Sequence, residues 1–582
     1  MKLKFSLLNL LTLLNLLTLS ANAAIKNPDT FIELKSSGDL DSLDPAWAFD
    51  TASDEVVMNI YETLINYDGT SLVNFRPVLS EKVPSLENGL ISEGGKSYTF
   101  PLRDGVKFHG GEPLTCEDAR YSLVRFMIYD RAGGPSFLFL EPIAGLLGSR
   151  DEKGNIVLKF QDISARITCE GRNLKITLPR PYGPFLSIVA RWTYVINKKW
   201  AVANGDWDGA ETDWKKFNNA KKEGSYLFDH TNGTGPWMLE RWEKNLKQIS
   251  LVRNEKYWRP AAKLKRVVIK GVPEFNTRKL LIASGDADFI DESGRQFEPQ
   301  FENLPGVIPA DFPYLRVEAL YFTFNINPAG NTAIGSGKLD GLGIPPDFFQ
   351  DPNVRKGFAH AFNYESYIKE ILRGKASRPT GPIPKEMLGH SPRQPVYAYD
   401  PIKAVDYLKR AWGGKVWEKG FRFAVYYDSN NAARQMACEV LKKGVESLNP
   451  KFKIDLRNVQ WSTFLADARA RKLPIFKLGW VADFADPHNF IFSFLHSQGH
   501  YPQRQGFGYP AWDNLVEQAN AEVDPAKRET LYHTIQNLAH QETVQIYTDQ
   551  PMAFRVLRTW VKGFYFNPMF HGVDFYPLYK AE

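Results

Sequence analysis

Cysteine is nearly absent from this chain of 582 residues, which has three, Cys116, Cys169 and Cys438. None stands in a Cys-x-x-Cys pair, so zinc and thioredoxin-type chemistry lack their spacing. One disulfide, with Cys116 and Cys169 the nearer pair in sequence, and three buried thiols both fit what remains. Blocks of one charge are also lacking: 72 Lys and Arg face 66 acids, for a net charge of +6. That balance argues against nucleic acid as a partner. Beyond the first two dozen residues no run is long and apolar enough to span a bilayer.

Catalytic signatures are missing as well. HExxH, GxSxG and the EF-hand spacing do not occur. Gly95-Lys96-Ser97 is not a phosphate loop, because Leu90 stands where the first Gly is needed and a strand follows instead of a helix. His496 and His500 are four apart, but Gly499 between them ends a helix rather than continuing one. Solvated or capping roles suit them better than a metal. The sequence calls for no catalysis, no cofactor and no metal.

What is present begins with MKLKFSLLNLLTLLNLLTLSANAA. A basic start, a short apolar run and a small-x-small site together form an export leader, with cleavage expected after Ala23. No Cys follows the apolar run, so a lipid anchor is not indicated. The mature protein is expected outside the cytoplasm. Hydrophobic content of 43% and charge of 24% lie in the ordinary globular range.

Strand-like runs alternate with helix signals, which predicts a mixed α/β architecture. SYTFPL (97–102), RVVIKGV (266–272), LRVEALYFTFNIN (315–327) and RFAVYY (422–427) read as strands. Helix starts share one device: Asp351-Pro352, Asp400-Pro401 and Asp524-Pro525 each put an acceptor at the N-cap and a Pro at the first helical position. After Asp400, Ile402, Val405, Leu408 and Trp412 follow helical spacing; after Asp524, Leu531, Ile535 and Leu538 do so.

In GWVADFADPHNFIFSF (479–494) the same dipeptide recurs at Asp486-Pro487, which assigns Asp486 to capping. Asp483 has no such task. It follows the strand-like PIFKLGW (474–480), at the strand-to-helix turn where α/β proteins place binding groups. A glycosidase pair is a poor fit, since that chemistry needs two free carboxyls facing across a sugar.

Ordered blocks then become recognisable. LDSLDPAWAFDTASDEVVMNIYETLINYD (40–68), SYTFPLRDGVKFHGGEPLTCEDARYSLVR (97–125), GTGPWMLERWE (233–243) with LVRNEKYWR (251–259), DPNVRKGFAHAFNYESYIKEILRG (351–374), GPIP (381–384) and YDPIKAVDYLKRAWG (399–413) resemble, in order, the peptide-binding family (dipeptide/oligopeptide type) of extracytoplasmic solute-binding proteins of ABC importers. Read as residues, these blocks are architectural, with Gly turns and alternating strand faces, and His109 among them is structural. WSTFL (461–465) followed by KLGWVAD (477–483) is similar in order and spacing to an element of the oligopeptide binders. The resemblance implies that Asp483 receives a peptide α-ammonium and that Trp461 and Trp480 line side-chain pockets. Lys477 stands where those binders have an Arg facing the ligand carboxylate, and Lys cannot form a planar two-bond clamp.

The resemblance further implies a two-lobed periplasmic-binding-protein fold with a hinge and an extra domain on the first lobe. The expected division is leader 1–23; lobe one 24–57, 195–315 and 548–582; extra domain 58–194; lobe two 316–547. The segment 329–346 reads as an insertion forming a mobile surface loop. The implied function is a periplasmic, monomeric protein that captures short peptides and delivers them to an inner-membrane ABC permease complex. A non-peptide solute (nickel chelate, glutathione, murein peptide or sugar) is the alternative within the family. A secreted hydrolase and a chaperone-like or sensory receptor are the alternatives outside it.

Overall fold

The computed structural model describes residues 25–582 apart from 37–39, 131–133, 152, 293, 430 and 523, and the side chains of 292, 296, 461 and 462 are also outside the description. The expected leader and its cleavage site lie outside the described residues. Among those described, no helix is long and apolar enough to cross a membrane.

Two sheets organise the chain. In the first, of seven strands, Thr30–Lys35 lies between Arg266–Gly271 and Phe289–Glu292, parallel to both. Gln248–Arg253 and Trp237–Glu243 extend one edge. Ala553–Arg558 and Val307–Phe312 extend the other. The second sheet, of six strands, has Arg316–Phe322 between Ile475–Val481 and Gln545–Pro551. Beyond Ile475–Val481 lie Phe421–Asp428 and Phe452–Val459, in parallel. The chain therefore passes between the sheets twice, through residues 313–315 and at Met552. A smaller sheet of three strands, Ser97–Pro101, Asn173–Thr177 and Ile167–Glu170, stands apart from both.

Each strand owes its place to alternation or to continuous apolar character. Val317 and Ala319 to Phe322 are fully buried, as a central strand covered on both faces requires. The Asp-Pro device works at all four positions: Asp351, Asp400, Asp486 and Asp524 each cap a helix and accept from backbone N–H groups of its first turn. Periodicity was a weaker guide to facing. In Pro401–Arg410 the buried residues are Ala404 and Leu408, packed on Gly357, while Ile402 is 83% exposed. In Pro525–Glu542 the inward stripe runs through Arg528, Tyr532, Ile535 and Ala539.

The segment 329–346 is not the loose loop that its glycines suggest. A bridge between Gly335 and Gly343 closes it, and Ala333, Ile334 and Ile344 are buried. Arg457 holds Thr332 through both its hydroxyl and its carbonyl. Cys116 and Cys169 form a disulfide, Cys116 at the start of the helix Cys116–Ile128 and Cys169 in the strand Ile167–Glu170. Cys438 remains a buried thiol, its pKa pushed up to about 12 by burial. His109 fastens the Gly-rich turn by its contact with the Gly235 carbonyl, the architectural role expected of it.

Candidate functional site

The strand Ile475–Val481 ends in a short turn that feeds the helix Pro487–Leu495. This turn carries both acids of the ADFAD sequence, and their surroundings separate them. Asp486 caps the helix through the His488 N–H and receives both terminal nitrogens of Arg528 at 2.8 and 3.0 Å. Its carboxylate is fully engaged.

Asp483 is 7% exposed and among the described residues has a single side-chain partner, Asn489, whose Nδ2 donates to Oδ2 at 3.0 Å. The Asn489 side-chain oxygen Oδ1 accepts from the Trp480 indole at 2.9 Å and from the Asp483 backbone N–H at 3.1 Å. Asn489 thus fixes both side chains, yet nothing in its sequence context marks it. Trp192 reaches from the opposite side, its indole N–H donating to the Asp483 carbonyl at 2.8 Å, and the Ala485 N–H donates to the Tyr67 hydroxyl at 3.1 Å. The turn lies in the seam where the six-stranded sheet's lobe meets the rest of the molecule.

Charge around Asp483 is uncompensated. Among the described residues no cation stands within ion-pair distance of it. Burial pushes its pKa up to about 6, against the Asn489 hydrogen bond and the nearby His571 and Arg191. Neither of those can act as a free counter-ion. Arg191 is engaged with Asp54, the Tyr194 hydroxyl and the Met569 carbonyl. His571 has its pKa lowered to about 4, chiefly by burial, so it is neutral wherever Asp483 is ionised. A buried carboxylate with one hydrogen bond and no cation is costly unless an external cation completes it.

Trp480 is half-buried, its ring set against His500 at 4.8 Å and Tyr501 at 6.0 Å. His500 is thus a packing partner, its pKa held well below the usual imidazole range by burial. Among the described residues no cluster of three metal-ligating side chains occurs. Trp461 opens the helix Trp461–Arg469, and its side chain lies outside the described residues.

Lys477 is 1% exposed, and its ammonium donates to Thr548 Oγ1 at 2.7 Å, Glu318 Oε2 at 3.0 Å and Asp549 Oδ1 at 3.3 Å. All its N–H groups are spent inside the lobe. Glu318 also meets Arg434 and Arg316, and these cations hold its pKa well below the usual carboxylate range despite its burial. Gly479 belongs to this arrangement: a Cβ there would stand 2.2 Å from Glu318 Oε1. The Gly before Trp480 exists to admit that carboxylate.

Two α/β lobes joined by two strand crossovers, with a preorganised anionic turn in the seam, define a solute-binding architecture. Residues 75–502 match the family described as bacterial extracellular solute-binding proteins, family 5 (middle), and the chain belongs to that family. It is 25% identical to a probable D,D-dipeptide-binding periplasmic protein of Escherichia coli, over 95% of this chain and 94% of that one. It is 26% identical to the Escherichia coli dipeptide-binding protein, over 86% and 88% of the two chains. Among solved structures, the Helicobacter pylori ABC transporter-associated periplasmic binding protein DppA, in complex with the peptide STSA, has a TM-score of 0.73 at 23% identity, covering 95% of this chain and 98% of that one. A Pseudoalteromonas dipeptide-binding protein in complex with Met-Leu has a TM-score of 0.71 at 18% identity, covering 95% and 100%. These likenesses bear out the expected family and the mixed α/β two-lobed fold.

Proposed function

We propose that this protein captures short peptides in the cleft between its lobes and delivers them to the membrane permease of an ABC importer. The observation that carries the reading is Asp483: a buried, oriented carboxylate without a cation, placed where two lobes meet. A peptide α-ammonium supplies the missing charge. The binding relatives and the family point the same way.

In this reading Asp483 receives the ammonium, and Trp480 and Trp461 line side-chain pockets. Lys477 serves at one remove, holding Glu318 and so the strand end that presents Asp483. A charge-assisted hydrogen bond contributes roughly 1.5–3 kcal/mol net, whereas micromolar capture needs about 8 kcal/mol. Backbone pairing and apolar pockets must supply the remainder, and neither is selective for residue type. The protein is therefore strict about the amino terminus and permissive about side chains.

Lobe one comprises 24–57, 195–315 and 552–582 around the seven-stranded sheet, the extra domain 58–194, and lobe two 316–551; the expected boundary after 547 moves to Met552 because Gln545–Pro551 pairs within the six-stranded sheet. The crossovers at 313–315 and Met552 serve as the hinge, and closure about a ligand precedes docking on the permease. The protein is exported with cleavage after Ala23, acts as a monomer and performs no chemistry. Native mass spectrometry of protein taken from its own cell envelope tests the reading. A ladder of co-purified masses fitting short peptides is the expected result. A single non-peptide mass retains the importer but overturns the role of Asp483.

A further inference from the structure

The lobe-two sheet bears a second polar pocket, remote from Asp483. Asp483 follows Val481, which pairs with Arg316 at one end of the central strand. The pocket is built on Gln545, Ile546 and Tyr547, which pair with Tyr321, Leu320 and Ala319 towards the other end. The two sites are separated along the strand by roughly 10–17 Å, three to five residues of extended chain.

Arg378 dominates this pocket. Its guanidinium lies over the Tyr364 ring, 3.9 Å from the centroid, and donates to the Tyr397 carbonyl. Among the described residues no carboxylate lies within ion-pair distance of it, and its Nε is buried without a protein partner. Burial lowers its pKa, with the Tyr364 phenol the one group acting in the other direction. Two residues on, the Thr380 hydroxyl is likewise buried without a partner among the described residues. Across the pocket Gln536 is 3% exposed, and its Nε2 donates to the Gly389 and Tyr532 carbonyls. Its Oε1 is buried and accepts from no donor among the described residues. A Cβ at residue 381 would stand 2.5 Å from that oxygen, so only glycine fits beside it. Tyr397 is rigid, its hydroxyl bonded to the His540 carbonyl and Thr543 and its ring stacked on His540.

Cation, hydroxyl and lone amide oxygen are thus grouped in one recess with complementary vacancies. Desolvated polar groups of this kind are costly unless a ligand completes them. We propose that this pocket binds a carboxylate with an N–H on the neighbouring carbon, the chemistry shared by an N-acylated amino acid and the last residue of a protein chain. The carboxylate meets Arg378 and the Thr380 hydroxyl, and the N–H meets Gln536 Oε1. An N-acylated ligand offers no ammonium to Asp483, so this site stands or falls independently of the peptide cleft.

The test is calorimetric titration of the full chain carrying Asp483→Ala with N-acetyl-alanine, N-acetyl-alaninamide and an N-acetylated decapeptide with a free carboxyl terminus. N-acetyl-alanine is expected to bind with a dissociation constant on the order of millimolar, and its amide not to bind. Arg378→Gln should weaken binding at least tenfold, and Thr380→Ala should weaken it several-fold. If Arg378→Gln does not fold, Arg378→Lys, which keeps the charge and loses the planar fork, takes its place. Tighter binding of the decapeptide identifies a chain terminus as the occupant; equal binding identifies a free small molecule. Equal affinity for acid and amide, indifference to both the Arg378 and Thr380 substitutions, or no saturable binding at tens of millimolar overturns the proposal.

Discussion

Replacing Asp483 by Asn should stabilise the protein while disabling it. The wild-type carboxyl titrates at 3.8 when exposed in the unfolded chain and at about 6 when buried in the fold. Because the folded-state value is the higher, the native state holds its proton more tightly. Wild-type stability therefore falls as pH rises from 3.8 to about 6, and the full cost is present above that window. The difference corresponds to about 3 kcal/mol. Asn is nearly isosteric, carries no charge and can still accept from Asn489, so it escapes this cost. Denaturant unfolding followed by intrinsic fluorescence should show the Asn variant gaining up to about 3 kcal/mol over wild type at pH 8 and almost nothing at pH 4. The same variant should bind a free-amine tripeptide roughly tenfold to 150-fold more weakly, the equivalent of one charge-assisted hydrogen bond. A variant no more stable at pH 8, or one that keeps wild-type affinity, refutes the view of Asp483 as a buried charge awaiting a cation.

Peptide affinity should be highest near pH 7, weaken below pH 6 by up to the same tenfold to 150-fold as Asp483 takes up its proton, and weaken again above about pH 8 as the peptide α-amine loses its own; a level profile from pH 7 to 5 in calorimetry contradicts this. Gly479→Ala drives a methyl into the Glu318 carboxylate, and breaking its pairing with Lys477 and Arg434 should cost about 3–5 kcal/mol in urea unfolding. Asp486→Ala leaves Arg528 buried and unpaired and removes a helix cap; a loss of similar size, about 3–5 kcal/mol, is expected, and a loss below about 1 kcal/mol would show that solvent reaches Arg528. The Cys116–Cys169 bond closes a loop over a separation of 53 residues, so its removal should cost about 4 kcal/mol on the chain-entropy account, read as a fall in urea midpoint with Cys438 intact.

The site was legible as far as local rules extend. Four of the five Asp-Pro pairs cap a helix, Asp44-Pro45 opening only a turn, so the role of Asp486 could be read from the sequence and Asp483 singled out by elimination. Residues supplied from afar could not be read. Asn489 orients Asp483 and Trp480 from the far side of a turn, and Trp192 comes from nearly 300 residues away. Lys477 illustrates the limit most clearly: its position in the motif faces a ligand by analogy, yet the two acids and the hydroxyl that hold it lie on strands 159 and 71–72 residues distant. Helical spacing groups Ile402 with Leu408, yet Ile402 is exposed, because periodicity records which residues share a face, not which neighbour covers it. The glycines of 329–346 suggested looseness, although Gly335 and Gly343 serve to bring two backbones together. The disulfide was undecided because pairing depends on a helix start and a strand that only the fold brings together.

The most direct test of ammonium capture is a pair of titrations of the wild-type protein at pH 7.5, one with a free-amine tripeptide and one with its N-acetylated twin. Acetylation removes the cation and leaves the side chains unaltered. The account predicts a loss of affinity of at least tenfold, together with little further loss on Asp483→Asn for the acetylated peptide. Equal affinity for the two peptides would contradict it, because Asp483 would then have no part in recognition.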